Sequence, residues 1–143
     1  MKKNNFLIFK NYIKIFKSKG MRMVIEYFLF NHFFDIYYGT DTHFLGTEQN
    51  SSLKENDAEI YTPTWFRDIK YSTKKLQSIL GTKNFLKYPL IDLGSGKGKV
   101  LISWKRLYPN KNDIYGIEYD MDLINICKNN LDKLNLKNIN IIK

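Results

Sequence analysis

The run Asp92-Leu93-Gly94-Ser95-Gly96-Lys97-Gly98-Lys99 constrains the fold of this chain more than any other feature. It ends a short apolar stretch, Leu90-Ile91-Asp92-Leu93, that lies between Pro89 and Gly94 and reads as a buried strand. Beyond it Val100, Leu101, Trp104 and Leu107 recur at helical spacing until Pro109 stops them. A loop in this position has to turn sharply and open a helix whose first N–H groups lack intrahelical acceptors. Glycines at alternate positions permit positive φ, and they let a ligand touch backbone where a β-carbon would intrude. The run is therefore expected to be a ligand-contact loop at the carboxyl end of a strand.

The same alternation continues downstream. Ile114-Tyr115-Gly116-Ile117 reads as a second strand, and Asp120 can cap a helix from Met121 to about Leu134. Leu123, Ile124, Cys127, Leu131 and Leu134 share one face of that helix, and Ile139 to Ile142 begins a third strand. Strand, helix, strand, helix, strand is the signature of a right-handed parallel α/β sheet.

Upstream the character is helical. Residues 1–19 hold six lysines and no acid, interleaved with Phe6, Phe9, Ile13 and Phe16 at helical spacing. This predicts a basic amphipathic helix, which could lie on a membrane, bind a phosphate backbone or pack on the domain, with packing as the default. Gly20 punctuates it, and an aromatic-rich apolar segment from Met21 to Tyr38 ends at Gly39. From Thr40 to Thr62 the chain is polar and loop-like, with Asp41, Thr42, Gly46, Asn50, Ser51, Ser52 and Asn56 as turn formers. Pro63 sets a bend before a helix predicted from Thr64 to about Leu80, with Gly81 placed to cap it.

Several function classes drop out. Cys127 is the single cysteine, so neither an intrachain disulfide nor a cysteine-based zinc cluster can form. His32 and His43 have no ligand-like spacing, and no metal is expected. The apolar run Phe6 to Phe9 is too short for a signal-peptide core, and no stretch is long and apolar enough to cross a membrane, so a cytoplasmic location without integral membrane association is expected. The formal charge of +9 suits nucleic acid or an anionic membrane surface, which makes a basic binding module the alternative function. The abundance of Lys, Asn and Ile throughout accounts for that charge equally well.

The loop's spacing narrows its ligand. A dinucleotide fingerprint, G-x-G-x-x-G, would need glycine where Lys99 stands, and a phosphate P-loop would need a second glycine five positions after Gly94. A nucleoside without a pyrophosphate fits better. Glu118, at the end of the second strand, is placed to accept from both ribose hydroxyls, and Tyr119 and Met121 could flank an adenine. Lys97 and Lys99 are expected to be solvated, and Cys127 to be core.

Leu90 through Gly98, followed by Tyr115-Gly116-Ile117-Glu118, resembles motif I and the post-I acid of class I S-adenosylmethionine-dependent methyltransferases. The resemblance implies S-adenosyl-L-methionine as cofactor. It puts Asp92 near the methionine amino group, Gly94, Ser95, Gly96 and Gly98 under the methionine and ribose, and Glu118 on the ribose hydroxyls, with Tyr119 beside it. Tyr38-Gly39-Thr40-Asp41-Thr42 and Tyr61-Thr62-Pro63-Thr64, together with the loop, resemble a group of bacterial methyltransferases, which adds Thr42 and Tyr61 to the candidate site. The loop is also similar to that of a lysine methyltransferase family.

The implied fold is α/β: the N-terminal half of a Rossmann-like doubly wound parallel sheet, strands 1 to 3, preceded by a helical region. Residues 1–82 are read as that helical region and loop, and residues 83–143 as a partial cofactor-binding domain. In the resembled enzymes a fourth strand ends in a proline-containing motif that lines the substrate pocket. Here the prolines are Pro63, Pro89 and Pro109, so catalytic residues are unassigned and the chain is expected to be a fragment or to need a partner chain that completes the sheet, with a non-catalytic truncated remnant as a further alternative function. The methyl acceptor (protein, nucleic acid or small molecule) stays open.

Overall fold

A computed structural model describes residues 2–43 and 61–143, with side chains in the first helix at residues 9, 10 and 12 onward. Helix α1 (Lys2–Tyr27) bends at Gly20, whose φ of 78° and ψ of 175° are not helical. The chain folds back there, so that the Tyr12 ring lies 5.7 Å from Tyr27 and 5.5 Å from His32 between ring centroids. After Gly20 the helix runs on through one π-helical turn (Phe28–His32) and α2 (Phe33–Tyr38) and ends on Gly39 in the left-handed conformation. The turn formers Gly46, Asn50, Ser51, Ser52 and Asn56 fall outside the described residues.

Helix α3 (Phe66–Leu80) starts two residues later than its sequence suggests, because Trp65 is still extended. Gly81 ends it at φ 73°, and a short α4 (Thr82–Lys87), which the apolar periodicity did not signal, buries Phe85. Strand β1 (Leu90–Leu93), α5 (Lys99–Leu107), β2 (Ile114–Ile117), α6 (Met121–Lys133) and β3 (Ile139–Ile142) follow as the sequence predicts. Asp120 caps α6 by accepting from the Asp122 N–H at 2.8 Å.

The three strands form one parallel sheet in the order β1-β2-β3. Register places Leu90, Ile114 and Ile139 in one row and Asp92, Gly116 and Ile141 in another, all on one face. That face is covered. Phe34 of α2, Leu101 and Ile102 of α5, Ile114, and Cys127 and Leu131 of α6 make the core, so the upstream helical region and the α/β unit share it. Helix α3 lies against α5, where Trp104 Nε1 donates to Thr73 Oγ1 at 2.9 Å.

The opposite face is bare among the described residues. Ile91 is 53%, Leu93 77%, Ile117 37% and Ile142 47% exposed, and β1 is an edge strand with β2 on one side only. A mixed α/β fold with a small parallel sheet is thus present, helix-covered on one side.

The basic helix packs on the fold through Tyr12, against Tyr27 and His32, but not through the stripe its sequence marks. Phe9 (62%), Ile13 (38%) and Phe16 (50%) face solvent and do not pack on the domain. The two loop lysines also differ from expectation. Lys97 and Lys99 are buried, at 0% and 2% exposure, because each ammonium finds oxygens inside the fold.

Candidate functional site at the carboxyl ends of the strands

Three glycines shape the loop between β1 and α5. Gly94, Gly96 and Gly98 all have positive φ, at 76°, 50° and 84°. Their surroundings differ. A β-carbon on Gly96 would come within 2.1 Å of the Tyr61 ring, and one on Gly98 within 2.5 Å of Cys127 Sγ. At Gly94 it would meet nothing within 4 Å. The close approaches at Gly96 and Gly98 therefore come from the protein itself, and the open space lies at Gly94.

The loop's amides are taken up internally. Gly94 and Ser95 both donate to the Ile117 carbonyl at 2.9 Å, Gly98 donates to the Ser95 carbonyl at 2.9 Å, and Gly96 donates to Glu118 Oε2 at 2.8 Å. Glu118 Oε1 accepts from the N–H groups of Tyr119 (2.8 Å) and Asp120 (2.9 Å). Glu118 thus ties the ends of β1 and β2 together. Tyr119 joins only through its backbone, and its side chain is exposed.

Asp92 is half-buried on the covered face. Burial, and then the Glu118 charge, push its carboxyl up to about 6. Burial also pushes the Cys127 thiol up to about 12, which keeps it neutral, as its core position suggests. Ser95 Oγ is buried without a hydrogen-bond partner and sits against Gly116, where a β-carbon would come within 2.7 Å of it.

The upstream segment docks onto this loop. Tyr61, whose ring covers Gly96, donates its hydroxyl to the Thr42 carbonyl at 2.7 Å. Asn130 of α6 accepts from the Asp41 N–H at 2.9 Å and donates to the carbonyls of Asp41 (3.0 Å) and Lys97 (3.1 Å). Lys97 Nζ reaches Asp41 Oδ1 at 3.3 Å. Thr42 is fully buried, and its own hydroxyl donates to Asp35 at 2.7 Å, so it contributes its backbone to the loop's surroundings. Every candidate residue therefore gathers around the strand ends, Thr42 and Tyr61 included.

Sequence reasoning missed three participants, Asp35, Lys97 and Asn130, and marked Asp41 only as a turn former within the Tyr38 to Thr42 motif. The buried Asp35 accepts from Thr40 Oγ1, from Thr42 N and Oγ1, and from His43 N, at 2.7 to 2.9 Å. It shapes the turn that delivers Asp41 to Asn130. The available signals were a lone acid in an aromatic helix and a lone amide beside Cys127 and Leu131 on the apolar face of α6. Behind this turn lies an aromatic cluster. The rings of His32 and His43 are 4.5 Å apart, and Tyr27 Oη lies 2.8 Å from His43 Nε2. Burial, and then the neighbouring His32, push His43 down to about 3. Lys99 donates to the Phe30 carbonyl (3.0 Å) and Asn31 Oδ1 (2.9 Å), which satisfies the π-turn, and burial lowers it to about 8.

Among the described residues no group of three or more His, Cys, Asp or Glu side chains could hold a metal ion, and no helix is long and apolar enough to cross a membrane. No curated protein and no solved structure matches the chain. Residues 86–143, which carry the glycine loop and Glu118, match the family described as the methyltransferase domain.

Proposed function

We propose that the chain binds S-adenosyl-L-methionine at the glycine loop and serves methyl transfer to an acceptor nucleophile. The observation that carries this reading is the link from Glu118 to Gly96 across the carboxyl ends of β1 and β2. It sets an acid beside a glycine turn where a doubly wound sheet takes up a nucleoside. The match of residues 86–143 to a methyltransferase domain supports it.

The residues present fit such a cofactor better than a phosphate ester. The amides of Gly94, Ser95, Gly96 and Gly98 already have protein acceptors, so they form no nest for a pyrophosphate. Two carboxylates, Asp92 and Glu118, favour a ligand with positive charge and hydroxyl donors. In this reading Asp92 would hold the methionine ammonium, Gly94 would leave room for the chain beside it, and Glu118 would accept from the ribose hydroxyls. Glu118 would do so with the lone pairs left beside its three backbone bonds. Tyr119 and Tyr61 would border the nucleoside.

When bound, S-adenosylmethionine supplies a methyl group on a cationic sulfur that a nucleophile takes in one displacement. The protein's task is alignment: the loop holds the donor, and an acceptor must approach in line at about 3 Å. The open edge of β1 and the face of Ile91, Leu93, Ile117 and Ile142, bare among the described residues, favour further elements, from this protein or a partner chain, that would pair with the sheet, cover that face and carry the acceptor site.

Isothermal titration of the chain with S-adenosylhomocysteine tests the cofactor assignment. Binding weakened about tenfold or more by Glu118→Ala is the expected result. Absence of heat with S-adenosylhomocysteine and S-adenosylmethionine, or preference for NAD or ATP, would overturn it.

A further inference from the structure

Helix α1 packs on the fold through Tyr12 and carries, beside that contact, an apolar stripe that is exposed among the described residues. Phe9, Ile13 and Phe16 are spaced four and three residues apart, lie on one side of the helix and face solvent. Lys17 and Lys19 project roughly 80° to either side of that stripe, at 3.6 residues per turn, and Lys10 and Lys14 lie further round. All four lysines are exposed, and residues 1–19 hold no acid. Gly20 breaks the helical geometry at the end of this segment, so residues 9–19 form a unit with its own direction.

We propose that this segment of α1 is an interfacial helix that docks on a lipid bilayer rich in anionic headgroups. An apolar stripe two aromatic rings deep and edged by cations is complementary to such a surface on both counts. The rings and Ile13 enter the acyl boundary, while the lysines reach out to the headgroups. A nucleic-acid backbone would match the lysines and leave Phe9, Ile13 and Phe16 in water. A second copy of the chain would cover the stripe but bring the two sets of lysines together. Because the segment is too polar to cross the bilayer, the association is peripheral and reversible.

Flotation of the full chain with vesicles tests this. Vesicles of phosphatidylcholine with about one-third phosphatidylserine should carry the protein, at least tenfold more of it than phosphatidylcholine alone. The F9S/F16S pair and the K14E/K17E/K19E triple should each abolish flotation while keeping the wild-type circular dichroism and melting temperature, since all five side chains are exposed. Independently of any loss of binding, Phe16→Trp should shift its emission to the blue on anionic vesicles and be quenched by brominated acyl chains. The proposal is overturned by absence of flotation on anionic vesicles. It is equally overturned by flotation that F9S/F16S leaves intact, by binding confined to duplex DNA, or by a dimer in sedimentation velocity that F9S/F16S dissolves without any vesicle binding.

Discussion

Tyr61 lays its ring so closely over Gly96 that a β-carbon at residue 96 would come within 2.1 Å of Cε2. The contact joins a residue of the upstream segment to the glycine loop, and the Tyr61 hydroxyl extends it to the Thr42 carbonyl. Gly96 also has a φ of 50°, which L side chains adopt only at a cost. Gly96→Ala should therefore displace the ring and destabilise the fold by about 2 kcal/mol or more, as a strained φ and a steric clash add. Gly94→Ala meets only the φ penalty, because its surroundings are open. Chemical denaturation of both variants should rank Gly96→Ala as the more damaging; equal losses would contradict the assignment of Tyr61 as the cause.

With Asp92 holding the ligand's ammonium, as proposed above, binding of the nucleoside would depend on pH. Its carboxyl is raised to about 6 in the folded chain, chiefly by burial, so it is largely protonated below that pH. A neutral Asp92 attracts the ammonium of S-adenosylhomocysteine less than an ionised one. Affinity should accordingly fall as the pH drops from 8 to 5, with a midpoint near 6, and Asp92→Asn should bind weakly with a flat profile. Calorimetry across that range checks it. A wild-type profile as flat as the variant's would remove Asp92 from the ligand's surroundings.

His43 makes the fold sensitive to acid. Its folded-state value is lowered to about 3 from 6.5, so between those values the unfolded chain binds more protons than the folded one. Its contribution to stability is complete above pH 6.5 and is lost as pH falls toward 3. Asp92 works in the opposite sense. Its raised value makes folding relatively more favourable as pH falls through 6 toward 3.8, so the two partly offset each other in wild type. Comparison with His43→Phe separates them. The variant loses the bond to Tyr27 and is less stable at pH 7, but its deficit against wild type should shrink as the pH is lowered from 6.5 to 4.5. A deficit constant with pH would show that His43 is accessible to protons in the fold.

The α/β portion was legible in the sequence because its signals are local. Gly94, Gly96 and Gly98 mark the turn, Asp120 the cap of α6, and the apolar runs of β1, β2 and β3 the strands. The fate of Lys97 and Lys99 was not legible. Lysines in a glycine loop read as solvated, and what buries them is oxygen supplied from 56 to 69 residues away, at Asp41, Phe30 and Asn31. Helix α4 was missed for a related reason. Its six residues are too few to show periodicity, and Phe85 is held by a tilted ring contact with Tyr108, with centroids 4.7 Å apart. Helix α1 packs on the fold through Tyr12 and not through the Phe9, Ile13 and Phe16 stripe, and this was not legible because an amphipathic pattern says that a stripe exists, not what covers it.

Asn130 offers the sharpest test of how the upstream segment is attached. Its amide is 1% exposed and makes three hydrogen bonds, two to Asp41 and one to the Lys97 carbonyl, across 89 and 33 residues of sequence. Asn130→Ala removes all three and leaves the Asp41 N–H and two carbonyls short of partners, which should cost about 2–4 kcal/mol. The loss should be local before it is global. Hydrogen exchange at the Asp41 amide should quicken by more than the drop in global stability explains, while amides in β2 slow or quicken only with global unfolding. Asn130→Asp is the discriminating control. It keeps the acceptor for the Asp41 N–H but loses both donated bonds and faces two carbonyl oxygens at close range. It should therefore be at least as unstable as Asn130→Ala at pH 7 and recover part of the difference at about pH 4, where a protonated carboxyl can donate again. If instead Asn130→Ala unfolded like wild type and left Asp41 protected, the docking of residues 38–43 would rest on Asp35, Tyr61 and the Lys97–Asp41 ion pair.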